Sequence, residues 1–172
     1  MKHLFIFLFS LCLSTLEAQE CSFLEHKKGI RDIVLGASIK ENSKFIKRND
    51  SNLNLFKYYP DADYVYVGTE DDKIKTIPIL NIYLNIENGL ITEITVVTHR
   101  ILSLFSILEA AYGDASVSNG RYEWKSKSVI CTAIGDGNPK PGYLIIYKNT
   151  SEAYQEVMKH KQEDIKEAQQ EL

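Results

Sequence analysis

Between Ile77 and Thr98 the chain alternates apolar and polar residues in two consecutive runs, and no other stretch restricts the fold as strongly. Leu80, Ile82, Leu84 and Ile86 interleave with Asn81, Tyr83 and Asn85; after Glu87-Asn88-Gly89 the rhythm resumes as Leu90, Thr92, Ile94 and Val96. A period of two marks a strand with one buried face, and a Gly-containing break between two such runs marks a hairpin. Loop length decides the register. A two-residue Asn88-Gly89 turn sets Leu84 opposite Glu93 and Ile82 opposite Thr95, mixing the faces. A three-residue loop, Glu87-Asn88-Gly89 with Gly89 left-handed, pairs Ile86 with Leu90, Ile82 with Ile94 and Leu80 with Val96. Because a slip of one residue turns every side chain to the other face, the apolar pattern predicts the three-residue loop. Ile82 and Ile94 are then expected toward the helices, with Tyr83 and Glu93 facing away.

The flanking segments extend this theme. Tyr64 and Tyr66 alternate with Val65 and Val67 in a strand between Ala62 and Gly68; Tyr122 to Trp124, Val129 to Ile134 and Tyr143 to Tyr147 read as further strands. Ser38-Ile39-Lys40-Glu41 has the form of a capping box, which predicts a helix running to about Arg48. Ile101, Leu104, Phe105, Leu108, Ala111 and Tyr112 recur at helical spacing ahead of Gly113, a C-terminal cap. Asp114 to Gly120 reads as a loop. Asn149 or Ser151 can cap a last helix over about 150–170, opened by Tyr154, Val157 and Met158. Strands joined by short turns and segregated from the helices predict an α+β fold, a single antiparallel β-sheet of five to six strands with helices packed on one face.

Met1-Lys2-His3, an apolar run from Leu4 to Leu16, and Glu17-Ala18-Gln19 have the layout of a secretory signal peptide over 1–18, with cleavage after Ala18. The run is shorter than the roughly 20 apolar residues a membrane span needs. No membrane span is therefore expected, and the protein is predicted to be exported, periplasmic or extracellular, with 19–172 as a single α+β domain. Glu20 precedes Cys21 where a lipid anchor requires a small residue, which argues against lipidation. Of three cysteines, Cys12 leaves with the signal. Cys21 and Cys131 stay, in a compartment where disulfides persist; either they pair, or Cys131 is a small buried hydrophobe and Cys21 sits in a loose terminus. A net charge of −3 without a basic cluster offers nucleic acid nothing to bind.

His26, His99 and His160 stand apart, with no Cys, Asp or Glu at metal spacing, and no serine elbow, HExxH or phosphate loop occurs. No cofactor, catalytic residue or metal ligand is assigned. Gly135-Asp136-Gly137-Asn138 lacks the later acidic ligands of a calcium loop and reads as a turn. Glu70, Asp71 and Asp72 read as a solvated turn. Gly29-Ile30-Arg31-Asp32-Ile33-Val34-Leu35-Gly36-Ala37-Ser38, with Glu41, resembles the G-I-x-x-I-x-L-G-x-S-x-x-E opening of small secreted bacterial domains, mostly uncharacterised. Gly89-Leu90 with Ile94, Tyr112-Gly113 and Trp124 look like their hairpin, helix end and following strand, and the Ala18-Gln19 signal end is similar to that of Bacteroidetes exports. This chain departs from them in Asp32 and in lacking a lipidation box. The resemblance implies export and a shape like β-lactamase-inhibitor protein and the small outer-membrane assembly lipoproteins, whose sheets bind partner proteins. It transfers no catalytic residue.

Two functions follow as expectations. One is a secreted or periplasmic non-enzymatic binding domain of inhibitor, immunity or envelope-accessory type. The other is a small secreted hydrolase whose acid and base are Asp or Glu residues far apart in sequence. The binding surface is expected on the sheet. If Val65, Ile82, Leu84, Leu144 and Ile146 pack beneath the helices, Tyr64, Tyr66, Tyr83, Tyr143 and Tyr147 emerge together on the opposite side. Such a face would suit a protein partner or an extended ligand, although tyrosine also favours exposed strand positions for its own sake.

Overall fold

The structure, a computed structural model, describes residues 22–39, 44–135 and 142–150. In chain order they form helix α1 (Ser22–Lys27) and the short strands β1 (Gly29–Ile30), β2 (Ile33–Val34) and β3 (Ile46–Lys47). A 3-10 turn (Leu53–Phe56), β4 (Tyr64–Val67) and β5 (Lys73–Ile74) precede the long pair β6 (Ile77–Glu87) and β7 (Leu90–His99). Helix α2 (Ser103–Tyr112), β8 (Ser116–Ser118), β9 (Arg121–Lys125), β10 (Val129–Gly135) and β11 (Gly142–Asn149) complete the order. β1 and β2 form a ribbon of their own. The other nine strands lie in one antiparallel sheet, ordered β3-β4-β6-β7-β11-β10-β9-β8, with β5 also paired to β6.

This corrects the expected α+β architecture of five to six strands. Strand accounts for 48% of the described residues and helix for 17%, so the chain is mostly β. The excess comes from segments too short to show periodicity, such as Lys73–Ile74 and Ser116–Ser118, which become strands by pairing with a longer neighbour. The helix expected from Ser38 to about Arg48 is also not formed where its residues are described. Ser38 bridges to Leu90 and Ile46-Lys47 pair with β4, a case of tertiary pairing overriding a local propensity; Lys40 and Glu41 lie outside the described residues. The last helix, expected over about 150–170, lies outside them too.

The central hairpin corrects the register as well. Asn88 and Gly89 take φ of +50° and +78°, the left-handed pair of a two-residue type I′ turn, which asparagine and glycine tolerate. Glu87 therefore pairs with Leu90, and Ile86 with Ile91. The mixing of faces that argued against this turn is removed by a β-bulge. Between the Ile86–Ile91 and Asn85–Glu93 pairs β7 carries one extra residue, Thr92, and beyond it Leu84 meets Ile94 and Ile82 meets Val96. A second shift, between Ile79 and Asn81, inserts Leu80 on β6. A bulge adds one residue to one strand and so resets the phase of alternation.

Cross-strand pairing defines two faces. On the front, the rung Tyr64–Leu84–Ile94–Tyr147–Cys131–Trp124 lies beside Tyr66–Ile82–Val96–Ile145–Ala133–Tyr122. Leu24 of α1, Ile30 of the ribbon, Leu35 just after it, and Leu104 and Leu108 of α2 close over it. Leu104 and Leu108 are the buried stripe of α2, and burying each contributes roughly 1.5–3 kcal/mol. The helix ends at Gly113, whose carbonyl accepts the Trp124 indole N–H at 2.8 Å, fixing α2 to β9. Behind the sheet, Val65, Tyr83 and Val97 pack against Phe56 and Ala62 of the 53–62 segment. Ile82 and Ile94 thus face the helices, and Tyr83 and Glu93 lie on the reverse.

Candidate functional site

The sheet divides the five tyrosines expected to share one exposed face. Tyr64, Tyr66, Tyr143 and Tyr147 lie on the front, with the aliphatic core, and Tyr83 lies alone on the back. Tyr143, Tyr147 and Tyr83 are 3%, 2% and 0% exposed. The aromatic binding face is therefore corrected: within each strand the tyrosines alternate as expected, but pairing matches Tyr66 to Ile82 and Val65 to Tyr83. The Tyr147 hydroxyl shares a 3.0 Å hydrogen bond with that of Tyr112, and burial pushes its pKa well above the ordinary value. Tyr83 donates to the Leu55 carbonyl at 3.0 Å, and burial pushes it up to about 12. Cys131 is fully buried between Tyr147 and Trp124 in its rung. Its expected partner Cys21 lies outside the described residues.

Carboxylates hold the covering segments to the sheet. Asp72, read above as part of a solvated turn, is only 7% exposed. It accepts from the Tyr66 hydroxyl, the Thr69 N–H and hydroxyl (both 2.8 Å) and the Arg31 guanidinium. The Tyr66 bond first, then those from Thr69, hold its carboxyl well below the usual range against the opposing effect of burial. Arg31 sits in the turn of the β1–β2 ribbon, so this contact ties the ribbon to the 68–72 loop. Glu25 of α1 accepts from the Ser128 N–H (2.8 Å), the Ser128 hydroxyl (2.6 Å) and the Ser126 hydroxyl (2.8 Å), and meets Lys28 at 2.9 Å. Burial alone would raise Glu25; these bonds outweigh it and bring the group down to about 2. On the back, Glu93 accepts from the Tyr59 hydroxyl and meets the Lys148 ammonium at 2.6 Å. Burial and Glu93 push Tyr59 up to about 12.

An open cleft of about 370 Å³ lies where the 68–72 loop folds over the start of β6. Its floor is Pro78 and Leu80, and its rim carries Glu70, Lys73 and His99. Ile77 and Ile79 are buried in the front core, so Pro78 between them points to the back, as does Lys73 opposite it. The bulge turns Leu80 to the back too, against the Phe56–Val97 cluster. Asp72 thus anchors the loop from the front while the cleft opens behind it. Close approach fixes the wall: a Cβ on Gly68 would stand 2.0 Å from the Ile79 carbonyl oxygen. No motif in the sequence marks this site. One local signal does exist for its anchor, the Thr69-x-x-Asp72 spacing, by which an acidic side chain can close a turn on a threonine.

Among the described residues no three His, Cys, Asp or Glu side chains gather closely enough to hold a metal ion, and no helix is long and apolar enough to cross a membrane. No protein-family model matches the chain, and neither does any curated protein or solved structure compared with it.

Proposed function

We propose that the chain is an exported, non-enzymatic binding domain that presents the cleft behind the 68–72 loop to its ligand or partner. Export rests on the signal-peptide layout of 1–18 and on the resemblance of the Gly29–Ser38 opening to secreted bacterial domains. The observation that carries the binding reading is the use of the strongly perturbed carboxylates. Asp72 and Glu25 are both lowered, each by hydrogen bonds within the fold. A general acid working near neutral pH needs the opposite, a carboxyl raised toward the working pH. A hydrolase built on these two groups would start from the wrong protonation state for its acid and from bases already saturated with donors.

The test is turnover against capture. The purified protein should leave chromogenic ester, phosphate, glycoside and peptide substrates unchanged, while retaining one stoichiometric component of an envelope extract. Turnover that Glu70→Gln or Asp72→Asn abolishes would establish the hydrolase instead.

A further inference from the structure

We propose that the cleft on the back of the sheet binds a short zwitterionic peptide, of two or three residues, with an aliphatic side chain; this rests on the binding reading above and names its ligand class. Size sets the first limit. About 370 Å³ is at the small end of the roughly 300–1,000 Å³ of small-molecule sites, which suits a short peptide better than a folded surface.

Charge sets the second. Glu70 and Lys73 carry opposite signs on one rim, and neither of their side chains, nor that of His99, makes a hydrogen bond or ion pair among the described residues. The contrast with Asp72, between them in sequence, is direct: its carboxylate is fully used by the fold. A purely anionic ligand would be repelled by Glu70 and a purely cationic one by Lys73. A molecule with an ammonium at one end and a carboxylate at the other satisfies both. The apolar floor of Pro78 and Leu80 then takes the aliphatic side chain, and the His99 imidazole can hydrogen-bond the peptide group. The wall is set before binding, because Asp72 holds the loop and the Gly68 backbone abuts Ile79. A preorganised wall lowers the ordering cost of binding.

Titration of the isotope-labelled full-length protein with leucyl-leucine, followed by amide NMR shifts, tests this directly. Saturable shifts are expected at Gly68, Thr69, Lys73 and Leu80. N-acetyl-leucyl-leucine and leucyl-leucinamide, each lacking one charge, should bind roughly threefold or more weakly, the range of exposed ion pairs. Glu70→Gln should erase the penalty of acetylation and Lys73→Met that of amidation, both with an unchanged unfolding midpoint. Absence of saturable shifts, shifts confined to another part of the sheet, or blocked peptides binding as tightly as the free one would overturn the ligand assignment. Recovery of free leucine would overturn the non-enzymatic reading while leaving the binding inference in place.

Discussion

The two faces of the sheet are made by the same strands, yet they are covered in different ways. In front, α1, α2 and the β1–β2 ribbon bury a continuous apolar layer that reaches from Ile82 and Leu84 to Cys131 and Trp124. Behind, the 53–62 segment encloses Val65, Tyr83 and Val97, with Leu80 and Leu144 only partly buried against them. Further along the back, Leu144 and Ile146 are half-buried and share the surface with Thr132, Glu93 and Lys148. Asn85 Oδ1, a buried side-chain atom without a hydrogen-bond partner among the described residues, lies at the register shift. Alternation within a strand shows that the two faces differ, but it does not show which is covered, or by what. The cleft occurs on the back, beside Leu80 at the edge of the Phe56–Val97 cluster.

The largest expected effect would break the simple contrast of buried front and open back. Tyr83→Ala should cost about 3–5 kcal/mol, as for other buried aromatics, because Tyr83 is fully enclosed and its hydroxyl holds Leu55. A denaturant midpoint near that of the wild type would show that the 53–62 segment packs only loosely. The next pair sharpens the contrast. Ile82→Ala on the front should cost about 2–5 kcal/mol, while Leu144→Ala on the half-buried back should cost closer to ~1 kcal/mol. Equal losses would mean that both faces are sealed alike.

Smaller effects come from the groups that fasten the front covers. Asp72→Asn should cost roughly 1–3 kcal/mol, since it leaves the Tyr66, Thr69 and Arg31 donors without a charged acceptor. The folded Asp72 pKa lies below its ordinary 3.8, so its contribution is present above that pH and fades as pH falls below it. An acid titration of unfolding free energy, wild type against variant, should show the two curves converging below about pH 4. Glu25→Gln should cost less, on the order of 1 kcal/mol, because its side chain is 30% exposed. Its contribution is lost between pH 4.5 and about 2. Hydrogen exchange should then quicken in α1 and the Ser126–Ser128 turn while the 53–62 segment stays protected. Loosening of that segment instead would show that the two covers act as one unit.

Much of the fold was legible locally, and the site hardly at all. The strands around Tyr64–Val67, Val129–Ile134 and Tyr143–Tyr147 and the helix ending at Gly113 were all marked by periodicity and cap chemistry. Ser38-Ile39-Lys40-Glu41 had an equally good local signal and misled, because Ser38 and Ile46 find partners in Leu90 and Val65. Asp72 looked like its neighbours Glu70 and Asp71. Its burial depends on Tyr66 and on Arg31, 41 residues away. The cleft draws on residues from Gly68 to His99 that meet only when β4, β5, β6 and β7 align.

By itself the sequence determined that Ile77–Thr98 is a hairpin with its break within Glu87-Asn88-Gly89, because strand periodicity and turn preference are properties of adjacent residues. Only the tertiary structure decided the register and the company each face keeps. The bulges at Leu80 and Thr92 reset the phase of alternation so that Ile91, Ile94 and Ile82 reach one core. A rung such as Leu84–Ile94–Tyr147–Cys131 joins residues from distant strands. Its composition is set by how well the whole layer packs, and the period of any one strand does not contain that information.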